Sequence, residues 1–227
     1  MGRSDGADDL DTLPPGRWPA YLTERSGLPG PRANLPLAIA AARRASEDAI
    51  AALLSDGGEF PVMCAAAARA RRSAVPAEEH AARALAADDH WRVREGVAIG
   101  LQLRAEEDPA AVAALVLEWV DDTDPLVQRA AITAICEPRL LRTPEMAAAA
   151  LDACRRATDH LAALPTDRRT APSARTLRQA LGYCWSVAVA ADPARGIPAF
   201  QALDSGDPDV AWIVKENLRK KRLASLL

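Results

Sequence analysis

From Leu35 onward, apolar and polar positions alternate with the period of helices rather than strands. LPLAIAAARRA, DAIAALLS, EFPVMCAAAARARRSA and AEEHAARALAA each predict a helix of about two to four turns. The breaks fall at SDGGEFP (55–61), at Val75-Pro76 and at Asp88-Asp89. The second half continues in the same style. VREGVAIGLQLRA, PAAVAALVLEWVDD, PLVQRAAITAICEP and PEMAAAALDACRRATDHLAAL precede a polar loop, and SARTLRQALGYCWSVAVAA, GIPAFQALDSG and PDVAWIVKENLRKKRLASLL follow it. Several of these segments open on Asp, often with Pro next. Asp caps the first turn, Pro fits its fixed φ, and the aliphatics after them face the core.

Aligning the aliphatic that follows each cap gives a register. Val62, Val93, Val127, Leu177 and Val210 take like places, with successive steps of 31, 34, 50 and 33 residues. The long step holds an insertion at about 158–173, read as a loop because Pro165 and Pro172 bracket a polar run. A two-helix repeat of this length predicts an all-α fold: an α-solenoid of antiparallel helix pairs in a right-handed superhelix. DPLVQRAAITAI has the look of a HEAT repeat. Residues 1–17 are acidic and rich in Pro and Gly, which predicts a flexible tail, and 18–227 form a single repeat domain. Trp18, Tyr21 and Leu22 are placed to pin the start of that domain.

Composition agrees. Hydrophobic residues make up 49% of the 227 and aromatic residues only 4%, with alanine supplying much of the apolar fraction. Small residues of high helix propensity suit helix-on-helix packing; a sheet would want β-branched and aromatic residues. Net charge is −3, so nucleic-acid binding would have to rest on a local basic patch. Cys64, Cys136, Cys154 and Cys184 lack metal or redox spacing and read as buried thiols of a reducing cytoplasm. His80, His90 and His160 are far apart, and no metal or cofactor is expected. There is no signal sequence and no run of ~18 apolar residues, so neither export nor a membrane span is expected. The expectation is a cytoplasmic monomer.

The candidate chemistry starts in DDHWRVREGVAIG, residues 88–100. Trp91 and Glu95 are four apart and share a helix face. In the repeat register Glu95 falls in line with Arg129, then Gln179, then Trp212, and Arg92, Arg94 and Arg178 flank this stripe. Such a ribbon can bind an anionic polymer. The same residues have plainer readings: an arginine-to-acid ladder between repeats, a packing role for Trp91, a salt bridge for Glu95, and core packing for Tyr183 and Trp185. The basic clusters ARARR (68–72) and RKKR (219–222) read as solvated helix ends.

The set Trp91–Glu95, Arg129 within LVQRAAI and Tyr183 at the end of RQALGY resembles the bacterial HEAT-like-repeat alkylpurine DNA glycosylases of the DNA alkylation repair superfamily. The resemblance covers about residues 60–222. It implies an armadillo-like solenoid that binds DNA on its concave face and excises alkylated purines. On that basis Glu95, Trp91, Tyr183 and Trp185 would be catalytic, and Arg92, Arg94, Arg129 and Arg178 would hold DNA. The acid here is Glu where the family carries Asp, and residue 183 is Tyr where the family carries Trp. The alternative is a non-enzymatic HEAT-repeat scaffold with a protein partner in the groove.

Overall fold

Residues 8–227 are described by a computed structural model of the chain. Among them there is no strand, and every regular element is a helix. Two short 3₁₀ turns (Asp8–Asp11 and Pro15–Arg17) precede α1 (Trp18–Arg25), α2 (Leu35–Arg44), α3 (Glu47–Asp56), α4 (Glu59–Arg71), α5 (Pro76–Leu85) and α6 (Trp91–Glu107). Then come α7 (Pro109–Trp119), α8 (Pro125–Ile135), α9 (Pro144–Ala163), α10 (Thr166–Arg169), α11 (Pro172–Ala191), α12 (Pro193–Gln201), α13 (Pro208–Leu218) and α14 (Lys221–Ala224). No helix among the described residues is long and apolar enough to cross a membrane.

The helix starts follow the Asp-Pro signal. Asp108, Asp124, Asp192 and Asp207 each accept a hydrogen bond from a first-turn backbone N–H, and each is followed by Pro at the first helical position. The chain divides into two compact units, one ending at Arg104 and one beginning at Ala105. In the first, α4 is the central helix and packs on α1, α2, α3 and α5. Its run Cys64-Ala65-Ala66-Ala67-Ala68 is fully buried, so it is apolar all round, as a core helix must be. The glycines of α6 allow close packing on α4: a methyl group at Gly96 or Gly100 would overlap the carbonyl oxygen of Met63 or Ala67. In the second unit α11 holds the centre, against α8, α9, α12, α13 and α14.

Two sequence expectations need correction here. Residues 8–17 are not a free tail: Leu10 is only 2% exposed in the first unit's core, and Tyr21 Oη donates to Asp9 at 2.8 Å. Leu10 is an isolated aliphatic in an acidic run, so its anchoring role leaves no periodic signal. The rest of that tail lies outside the described residues. The segment 158–173 is mostly helical: α9 continues through Ala163 with Thr158 and Leu161 buried, and α10 follows. Leu161 prolongs the buried stripe of α9 past the polar DH pair.

Four of the five register aliphatics, Val93, Val127, Leu177 and Val210, are buried. Val62 is half-buried, and its neighbour Met63 takes the core position. Side-chain contacts between residues distant in sequence span a range of chain separations, among them 22 residues for Arg69 to Glu47 and 39 for Arg222 to Tyr183, and four of them fall close together. Arg92 to Glu59 spans 33 residues, Arg139 to Glu106 spans 33, Arg156 to Asp121 spans 35 and Arg178 to Asp209 spans 31.

Candidate functional site

In the first unit, α6 begins where Asp88 accepts from the His90 N–H at 2.7 Å, and Arg94 Nη1 donates to the carbonyls of Asp88 at 2.5 Å and Asp89 at 2.9 Å. This brace fixes the first turn, which presents Trp91. Its side chain is 50% exposed, unusual for so large an apolar group in a chain with so few aromatics. Arg92 Nη1 lies 3.2 Å from the Glu59 carboxylate, and its guanidinium carbon sits 4.4 Å from the centre of the Trp91 ring. Glu95 follows one turn later on the face of Trp91 and is half-buried. Trp91, Arg92, Arg94 and Glu95 thus form one turn and its successor, with an aromatic surface, a carboxylate and a guanidinium anchored by an acid.

The second unit carries Arg129, Arg178, Tyr183 and Trp185. Arg178 on α11 binds Asp209 on α13 at 2.6 Å and lies over the Trp212 ring at 4.9 Å. Tyr183 is 44% exposed; Arg222 donates to its hydroxyl at 3.0 Å and stacks on its ring at 4.9 Å. Trp185 has no exposure. Its Nε1 donates to Thr158 Oγ1 at 3.0 Å, and its ring packs on Phe200 with centroids 5.8 Å apart. Trp185 is therefore a core residue and leaves the candidate set. Residues two positions apart on a helix lie about 200° apart around its axis, so Tyr183 and Trp185 face nearly opposite ways. Arg129, on α8, is half-buried, and its charge acts on Cys184.

Sequence reasoning missed two features. Cys136 and Cys154 bring their sulfurs to 3.6 Å, and Cys184 meets Cys136, so three of the four free thiols share one core position. Cys136 and burial push the Cys184 thiol well up against the pull of Arg129. These thiols stay protonated and inert. They stand far apart in sequence, at the C-terminal end of α8 and on α9 and α11, so no local spacing reveals them. The other feature is Asn217, fully buried on α13. Its amide nitrogen donates to the carbonyls of Leu181 at 2.9 Å and Ile213 at 2.8 Å, and its oxygen accepts from the Ser186 N–H at 2.8 Å. It pins α13 to α11 beside Tyr183 and Arg178. One polar residue amid WIVKENL gives no cue beyond its position.

Comparison with protein-family models, with curated proteins and with solved structures finds no match to this chain.

Proposed function

We propose that the chain is an α-solenoid of HEAT-like helix pairs, a right-handed superhelix of the DNA alkylation repair kind, and that it binds nucleic acid. The observation that carries this reading is the half-exposed Trp91 on the first turn of α6, with Glu95 one turn on along the same face. Every base has a π-face, so an exposed indole is a platform for one. Four side-chain contacts at separations of 31 to 35 residues are in keeping with a repeat. In the enzymatic form of the reading, Glu95 stabilises the cationic sugar centre that forms as an alkylated purine leaves. Arg94, Arg129 and Arg178 are the phosphate contacts.

One observation favours the second reading, a protein-binding scaffold without catalysis. Arg92 in the first unit is matched by Glu59, and Arg178 in the second by Asp209, so the charge around each arginine is of mixed sign. Fluorescence anisotropy with labelled duplex DNA separates the two readings. Salt-dependent binding supports nucleic acid, and its absence at low salt supports the scaffold. Release of N7-methylguanine or N3-methyladenine by the wild type but not by Glu95→Gln tests excision.

A further inference from the structure

The second unit contains a cleft of about 560 Å³ whose lining includes Thr166, Arg169, Thr170, Arg175, Arg178 and Asp209. Between Thr166 and Arg178 the sequence holds four arginines and one acid, in a chain whose net charge is −3. Two of these guanidiniums are held in place. Arg169 Nη1 binds Asp207 at 2.5 Å while its Nε donates to the Leu164 carbonyl at 2.9 Å. Arg178 is fixed by Asp209 and by the Trp212 ring. Because these side chains are already ordered, a ligand that meets them does not have to order them. The Nε of Arg178 is buried and has no acceptor. Arg175, which also lines the cleft, is exposed and forms no ion pair among the described residues. Asp209, which lines the cleft, and Asp207, which binds Arg169, balance two of the three lining arginines, so one positive charge is left over. The hydroxyl of Thr166 adds a neutral donor, while that of Thr170 donates to the Asp167 carbonyl at 2.9 Å.

We infer that this cleft binds a phosphate group. Guanidinium forks and a hydroxyl match an anion with several acceptor oxygens in more than one plane. A space of this size also admits the substituent of a phosphoester, since ligand sites run from ~300 to ~1,000 Å³. The phosphate comes either from a nucleic-acid backbone, in which case the inference rests on the function proposed above, or from a free phosphate or pyrophosphate.

Isothermal titration calorimetry on the full chain tests it. The probes are sodium phosphate, sodium pyrophosphate and a single-stranded oligothymidine; the proteins are wild type, Arg175→Gln and Trp91→Ala. Arg175 is exposed and outside every ion pair, so its variant folds, and far-UV circular dichroism checks that. The expected result is saturable binding of pyrophosphate or of the oligonucleotide, weakened at least fivefold by Arg175→Gln. Pyrophosphate binding that is sensitive to Arg175 and indifferent to Trp91, without oligonucleotide binding, upholds the cleft and defeats the nucleic-acid reading. Oligonucleotide binding lost in Trp91→Ala but unchanged in Arg175→Gln, without pyrophosphate binding, does the reverse. Absence of binding by all three probes, or equal binding by wild type and Arg175→Gln, overturns the inference.

Discussion

The guanidinium of Arg92 lies against the indole of Trp91, 4.4 Å from the ring centre, and is held there by Glu59 at 3.2 Å. One face of the ring is therefore already next to a fixed positive charge. A cation on the other face would meet a ring whose attraction is partly spent, and would feel the guanidinium through it. A neutral base stacks without that opposition. The expected outcome is that an oligonucleotide carrying one N7-methylguanine binds no more tightly than its unmodified counterpart. Arg92→Gln should then shift the preference toward the cationic base by about twofold to tenfold, within the ~0.5–2 kcal/mol of a cation–π contact. Competition binding with the two oligonucleotides measures this.

The two tryptophans proposed together from sequence separate on stability. Trp185 has no exposure, packs on Phe200 and donates to Thr158, so Trp185→Ala should cost about 3–5 kcal/mol. Trp91→Ala should cost less than about 1 kcal/mol, because half of that side chain is already in water. Urea unfolding of both variants gives the comparison.

Asn217 should matter more than its anonymity in sequence suggests. Asn217→Leu leaves the Ser186 N–H facing an apolar group in a buried site and removes the donor to Leu181. The expected loss is about 2–4 kcal/mol, since a buried polar group left unpaired costs ~1–3 kcal/mol. Amide hydrogen exchange should locate the loosening in α11 and α13.

Acid stability should depend on Asp207. Burial pushes its carboxyl up, but hydrogen bonds from Arg169 and from the backbone N–H groups of Val210 and Asp209 outweigh that and hold it below the usual carboxylate range. A carboxylate lowered in the folded state stabilises fully above its unfolded pKa of about 3.9, and that contribution disappears as pH falls through the lower folded value. Asp207→Asn keeps a cap for α13 but removes the titration. The variant should be less stable than wild type at pH 6, and the gap should close as pH falls below ~4. Denaturant midpoints across that range provide the check.

Much of the helical architecture is legible in the residues. Asp-Pro caps and buried aliphatics such as Val93, Val127 and Val210 carry the helix starts because capping and burial are local in sequence. The C-terminal run 208–227 is less so: it divides into α13 and α14 after Leu218, where Asn217 leaves a carbonyl to accept from the Lys220 N–H. The candidate site is legible only in part. The apolar stripe Leu177, Leu181, Cys184, Trp185 and Ala188 assigns Trp185 to the core and Tyr183 to the surface on period alone. The sequence register flags Arg92 and Arg178, but which acid each meets, Glu59 and Asp209, is decided by packing. The three thiols and the arginine cleft join elements far apart in the chain, and no local pattern records that.

The central claim is that this all-helical protein binds nucleic acid with Trp91 as a platform, and fluorescence anisotropy with labelled DNA at two salt concentrations tests it most directly. The account predicts saturable binding at about 50 mM salt that weakens severalfold or more by about 200 mM, as counterion release requires. It also predicts an affinity at least ~fivefold lower for Trp91→Ala, since base stacking on an aromatic contributes ~1–3 kcal/mol. Absence of binding at the lower salt, or equal binding by wild type and Trp91→Ala, would contradict it.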